Sequence, residues 1–294
     1  MSLVATWRRF LGGGVPAPEP PADLPRALLR LQLAARSRIA APWAGAYRTA
    51  FKGQGLEFAG VREYVPGDDS RTIDWRVTAR TGRLAVRRYV EERDRTVLLV
   101  VDVGAATDLG SGDRTLREVA AEVVALVGSA AQAAGDRVGL VAWSDRPELL
   151  LPPTRRTAAL LRMVGELLRL GPRSAVADLD AALATARRLV RHRGVVVVVS
   201  PLLSDGVRRS LAALATRHQT LVVRLTDPRA GRGWAGGRLP AVGVDGAVGS
   251  SRVAAPPPLD LAGLGLRSVT VTPRTELAAA LARAFSGRVG GARG

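Results

Sequence analysis

The stretch Thr96-Val97-Leu98-Leu99-Val100-Val101-Asp102-Val103 decides the fold. A strand with one wet face alternates apolar and polar residues, whereas this run is apolar almost throughout. That is the pattern of a central strand covered on both faces, as in a parallel sheet. Its one carboxylate, Asp102, stands near the C-terminal end, the edge at which open parallel sheets bind ligands.

Downstream the chain alternates helical and extended patterns, the order expected of an open, mostly parallel α/β sheet with helices on both faces. Thr115 and Glu118 form a capping box for a helix running to Ala134, with Leu116, Val119, Val123, Val127 and Ala130 inward and Gly135 as its stop. Val138–Trp143 reads as the next strand and Glu148–Leu151 as an edge strand. Helices fit Ala158–Leu170 and Asp178–Val190, and Val195–Ser200 is a further buried strand. Helix Val207–Thr216, strands Thr220–Leu225 and Ser268–Val271, and helix Arg274–Phe285 complete the set. Residues 227–258 are rich in Gly and Pro without a period and read as a long loop or insertion. No internal repeat is present.

Upstream, residues 53–95 interleave eight carboxylates with nine arginines, and Phe58, Tyr64, Trp75 and Tyr89 sit among them. Guanidinium groups pair bidentately with carboxylates and stack on rings, so the composition favours ion pairs packed on aromatics. Pro66-Gly67 suits the central positions of a type II turn. The pattern from Phe51 to Val90 is that of a small, mostly β or irregular module. Ahead of it, Ala27–Ala41 reads as a helix lying on this module and ended by Pro42, and Pro16–Pro25 reads as a linker. The expected divisions are a tail and linker at 1–26, helix plus module at 27–95, and the α/β domain at 96–290.

The segments Glu57-Phe58, Arg62-Glu63-Tyr64-x-Pro66-Gly67-Asp68-Asp69-x-Arg71-x-Ile73-Asp74-Trp75 and Thr78-Ala79-Arg80 closely resemble the signature of the bacterial family called domain of unknown function 58. The resemblance implies a von Willebrand factor A-like domain after the signature. It further implies a MoxR-type AAA+ ATPase as partner, and hence an adaptor or assembly role toward a client protein. Family members commonly carry two membrane spans ahead of the signature, which this sequence lacks.

An A-type domain places a metal-ion-dependent adhesion site at the sheet edge, built from Asp-x-Ser-x-Ser, a Thr and a further Asp. The matching positions here are Asp102, Gly104, Ala106, Ala177 and Pro201. Asp102 alone keeps an oxygen ligand, so the expectation is a degenerate site with no metal and no cofactor. Ser200, Ser204 and Asp205 are the residues from which a weak site could be rebuilt.

Catalytic sets are sparse. His192 and His218, the two histidines, stand near helix ends beside arginines, where a dipole contact is the ordinary role. Gly231-x-Gly233-x-x-Gly236 matches a dinucleotide fingerprint but lies in the aperiodic segment with no helix after it. The one lysine, Lys52, is followed by Gly53 and has no phosphate loop before it, so any ATP in this system is hydrolysed by a partner. Asp68 and Asp69, flanked by Arg62, Arg71 and Arg76, read as salt-bridged turn residues that hold the module against the sheet rather than as acid–base groups.

The 294 residues suffice for a sizeable core, and the absence of cysteine excludes disulfides, thiolate sites and a Cys nucleophile. The formal charge of +17 is almost all arginine, as GC-rich coding produces, and no recognition helix or stacking strand accompanies it. Nucleic-acid or anionic-surface binding is therefore the alternative reading rather than the first. No segment has the apolar length of a membrane span, and Gly12–Gly14 interrupts the N-terminal stretch before a secretory core develops. The expected location is cytoplasmic, with any membrane attachment made through a partner. The expected function is that of a non-enzymatic interaction protein.

Overall fold

The computed structural model describes residues 40–51, 56–91, 95–108, 110, 114–170, 177–202, 206–228, 239–242, 248–251, 261 and 263–286. The chain divides into two units, one of residues 52–94 and one holding the flanking segments.

The larger unit is built on a six-stranded sheet. Its strands are β3 (Thr96–Asp102), β4 (Arg137–Trp143), β5 (Pro147–Thr154), β6 (Val195–Ser200), β7 (Gln219–Leu225) and β10 (Arg267–Val271), in the spatial order β10-β7-β6-β3-β4-β5. All neighbours are parallel except β5, which pairs antiparallel with β4 at the edge. The decisive run is thus a central strand, and Leu98, Leu99 and Val100 are wholly buried. Successive side chains point to opposite faces, and two cores follow. Val97, Leu99 and Val101 join one cluster, which also takes in helices α3 (Leu116–Ala133), α4 (Thr157–Arg169) and α7 (Leu277–Ser286). Leu98 and Val100 join the other, with α5 (Leu179–Leu189) and α6 (Val207–Ala215).

Local chemistry sets the boundaries. Thr115 Oγ1 accepts from Glu118 N–H, and Glu118 Oε2 accepts from Thr115 N–H at 2.7 Å, which closes the expected capping box. Gly135, at φ +87°, ends the turn after α3. A Cβ on Gly128 would lie 2.4 Å from Leu160 Cδ1, so a glycine is what lets α3 and α4 approach this closely. α7 starts at Leu277 rather than Arg274, because Glu276 takes the free N–H groups of Ala278 and Ala279 on its own carboxylate.

Three expectations are corrected. Helix α1 (Ala40–Ala50) runs through Pro42, which occupies its first turn, where a proline removes no helical hydrogen bond. The segment 27–39 lies outside the described residues. α1 belongs with the sheet unit and not with the signature module: Tyr47, Phe51 and Phe285 of α7 form a ring cluster with centroids 5.0–5.9 Å apart. Tyr47 OH also donates to buried Asp136 at 2.8 Å, beside the Arg95 guanidinium. Last, the 227–258 segment holds two short strands, β8 (Leu239–Val242) and β9 (Val248–Ser251), paired antiparallel.

The smaller unit is an antiparallel ribbon of β1 (Leu56–Glu63) and β2 (Ala85–Glu91), joined through a 3-10 turn at Ser70–Thr72 and helix α2 (Trp75–Thr81). The sequence reading of this module as β and turn missed α2.

Candidate functional site

The sheet edge comes first. Chain direction across the sheet reverses between β3 and β6, the switch point where open α/β sheets leave a crevice. Asp102 ends β3 and Ser200 ends β6, so the topology brings together residues far apart in sequence. The crevice is bridged by the protein itself. Ser200 Oγ donates to Asp102 Oδ2 at 2.7 Å and accepts from Leu202 N–H at 2.9 Å. Asp102 Oδ1 accepts from Gly104 N–H at 2.8 Å. Leu202 is buried with φ +58°, a left-handed conformation costly for a branched side chain, and the Ser200 hydroxyl holds its N–H there.

Burial raises the Asp102 carboxyl above its ordinary value, opposed by the Ser200 hydroxyl, the Gly104 N–H and the charge of Arg117. Arg117, in the first turn of α3, is itself buried and pairs with Asp108. It supplies a fixed positive charge near Asp102.

The metal-site positions do not fit a divalent cation. Both Asp102 oxygens are engaged. A Cβ on Gly104 would sit 3.2 Å from Ala177 N and from Asp102 Oδ1, so a serine there would press on both. Ala106 and Ala177 carry methyl groups, and Pro201 is buried without a carboxylate. Hard cations need several oxygen ligands, and of the five matching positions Asp102 alone carries a carboxylate, already hydrogen-bonded through both oxygens. Ser204 and Asp205 lie outside the described residues. Ser200, the candidate for a rebuilt site, is instead a structural donor. Arg117 was missed, although a basic residue in the first helical turn runs against the helix dipole and was a legible signal.

The histidines part company. His218 is buried, its Nδ1 accepting from Gly194 N–H at 3.4 Å. Burial, followed by the charges of Arg217, Arg187 and Arg193, lowers it to about 4. It is a neutral core residue rather than the dipole-stabilised cation expected, while His192 is exposed.

Within the signature module, acids are consumed as caps and pairs. Asp68 Oδ1 and Oδ2 accept from Arg62 Nη2 and Nη1 at 2.6 and 2.7 Å, and Oδ2 also accepts from Val65 N–H. The Arg62 hydrogen bond, followed by the Val65 N–H, lowers Asp68 to about 2. The Pro66-Gly67 turn forms as expected, with Asp68 N–H donating to Val65 C=O at 3.0 Å and Gly67 at φ +110°. Asp69 is a cap rather than an ion pair, accepting from Arg71 N–H at 2.9 Å. Asp74 caps α2 through Arg76 N–H and Val77 N–H and accepts from Arg87 Nε at 2.9 Å. Those contacts, Arg87 first, hold its carboxyl below the ordinary value.

Glu63 faces Arg83 at 3.6 Å, Tyr64 N–H donates to Leu84 C=O, and Ile73 bridges Val86. Trp75 is not packed under a guanidinium but is 67% exposed, and Arg80 on the same helix is exposed too. The side chains of Glu57, Phe58 and Tyr89 lie outside the described ones.

A family model described as "Protein of unknown function DUF58" matches residues 60–245. The chain belongs to the DUF58 family. Its larger unit has the α/β architecture expected after the DUF58 signature, a mostly parallel six-stranded sheet with helices on both faces. Uncharacterized protein Rv1480 of Mycobacterium tuberculosis is 30% identical over 210 residues, which are 70% of this chain and 66% of that protein. Uncharacterized protein Mb1516 of Mycobacterium bovis matches to the same extent. The chain thus spans just under two thirds of these relatives. Among solved structures, BatB from Bacteroides thetaiotaomicron is similar at TM-score 0.47 and 17% identity, covering 65% of this chain and 97% of BatB. The SpRpn10 VWA domain is similar at TM-score 0.40 and 16% identity, covering 67% and 97%.

Proposed function

We propose that this DUF58 protein is a non-enzymatic adaptor that works with a MoxR-type AAA+ ATPase in the assembly or maturation of client proteins. The observation that carries the reading is the bridged sheet edge. Asp102 is taken up by Ser200 and Gly104, and among the described residues no cluster of three or more carboxylates or histidines could hold a metal ion, so engagement falls to protein surface. ATP hydrolysis belongs to the partner, since the chain's one lysine has no phosphate loop. In this reading the protein acts in the cytoplasm and reaches a membrane only through its partner.

The test is a pull-down of the purified chain against its native lysate, with and without ATP and Mg²⁺. Nucleotide-dependent recovery of an AAA+ ATPase is the expected result. Retention of nucleic acid and ribosomal proteins alone would replace this reading with the polyanion one, driven by the +17 charge.

A further inference from the structure

The signature module wears its apolar residues outside. Val65, Trp75 and Leu84 are 57%, 67% and 45% exposed, and among the described residues they are the large apolar side chains that stand in solvent. Backbone pairing brings their chain segments together. Tyr64 N–H donates to Leu84 C=O at 2.9 Å and Asp74 N–H donates to Ala85 C=O at 2.8 Å, so Val65 and Trp75 each follow a residue bonded to the Leu84-Ala85 pair.

Charge defines what fits there. Arg71, Arg76 and Arg80 are exposed, and none forms an ion pair among the described residues. The nearby carboxylates are spent inside the module: Asp68 on Arg62, Asp74 on Arg87 and its helix cap, Asp69 on the Arg71 N–H, and Glu63 opposite Arg83. Among the described residues, Arg71, Arg76 and Arg80 thus carry charge that no carboxylate matches, and their complement is acidic. Trp and Arg are the residue types that dominate binding energy at protein interfaces. Nucleic acid would use Trp75 as a stacking platform. Val65 and Leu84 offer a base no such face.

We propose that Val65, Trp75 and Leu84, bordered by Arg71, Arg76 and Arg80, form a docking surface for an acidic protein segment bearing an aliphatic or aromatic anchor. The proposal rests on the adaptor reading and gives its partner a chemistry.

The test pans a phage-displayed library of random dodecapeptides on the full chain and measures the selected peptides by fluorescence anisotropy. The variants are Trp75→Ser and the double variant Arg76→Glu with Arg80→Glu, each checked for wild-type melting. Selected peptides are expected to place Asp and Glu around Leu, Ile or Phe, to lose about tenfold or more in affinity with Trp75→Ser, and to weaken with salt. Neutral or basic selected sequences, affinity indifferent to both variants, or an oligothymidylate that displaces the peptides through Trp75 would overturn the proposal. The two readings fail separately. An AAA+ ATPase still retained by Trp75→Ser rejects this surface and leaves the adaptor role, whereas Trp75-dependent acidic peptides with no ATPase retained reject the named partner and leave the surface.

Discussion

In β6, Val195 through Val199 are wholly buried, whereas among the described residues of the signature module only Asp74, Ala85 and Val86 are buried. The sheet unit is held by apolar area removed from water on two faces. The module is a two-stranded ribbon, a form that is marginal on its own. It keeps its shape through the Pro66-Gly67 turn, the Asp69 and Asp74 caps and the Arg62–Asp68 and Arg87–Asp74 pairs. Stability in one region comes from the interior, and the other spends its polar groups on shape and leaves its apolar ones available for contact.

Truncation in the sheet tests the first half of that contrast most severely. Leu99→Ala, at a fully buried central position, is expected to cost about 2–5 kcal/mol in urea unfolding. A cost near zero would mean that the two-faced core is not what holds the unit. Ser200→Ala removes the donor to Asp102 and the acceptor for Leu202 N–H, and about 1–3 kcal/mol is expected on the same assay. If this variant instead melts like wild type, the bridged crevice contributes nothing to the fold.

A pH series sharpens the comparison without mutation. His218, at about 4 in the folded chain against 6.5 ordinarily, binds its proton more readily when unfolded. Its contribution is intact above pH 6.5 and is lost as pH falls toward 4. Asp102 runs the other way, because a raised carboxyl favours the folded state as it protonates. The melting temperature of wild type minus that of His218→Phe should therefore decline through this window, and a flat difference would refute the buried neutral histidine. The smallest effect belongs to the module. Trp75→Ala is expected to change stability by less than about 0.5 kcal/mol, since the ring is 67% exposed. A large loss would show the ring to be packed, and would make it core rather than contact surface.

How much of this was legible follows the same division. Strands buried on both faces announce themselves, because nothing polar interrupts Val97–Val101 or Val195–Val199, and the Thr115–Glu118 box marks its helix directly. Helix α2 did not, since seven residues are too few to show a helical period and Trp75, Val77 and Thr78 favour strands; Asp74 as its cap was the available signal. β8 and β9, at four residues each, are likewise too short to show alternation. The placement of α1 depends on Tyr47 and Phe51 meeting Phe285, a contact no local pattern encodes. At the sheet edge, sequence placed Asp102 at the end of its strand. It could not reveal that Ser200, 98 residues away, bonds to that carboxylate.

The most direct test of the bridged edge is thermal melting of the wild-type chain and Asp102→Asn in EDTA and in millimolar Mg²⁺ or Mn²⁺. The account predicts that neither protein responds to the cation, and that Asp102→Asn melts close to wild type, because an amide relieves the buried charge while keeping an oxygen for Gly104 N–H. A cation-dependent rise in wild type that Asp102→Asn abolishes would contradict it, and would make the sheet edge a working metal site.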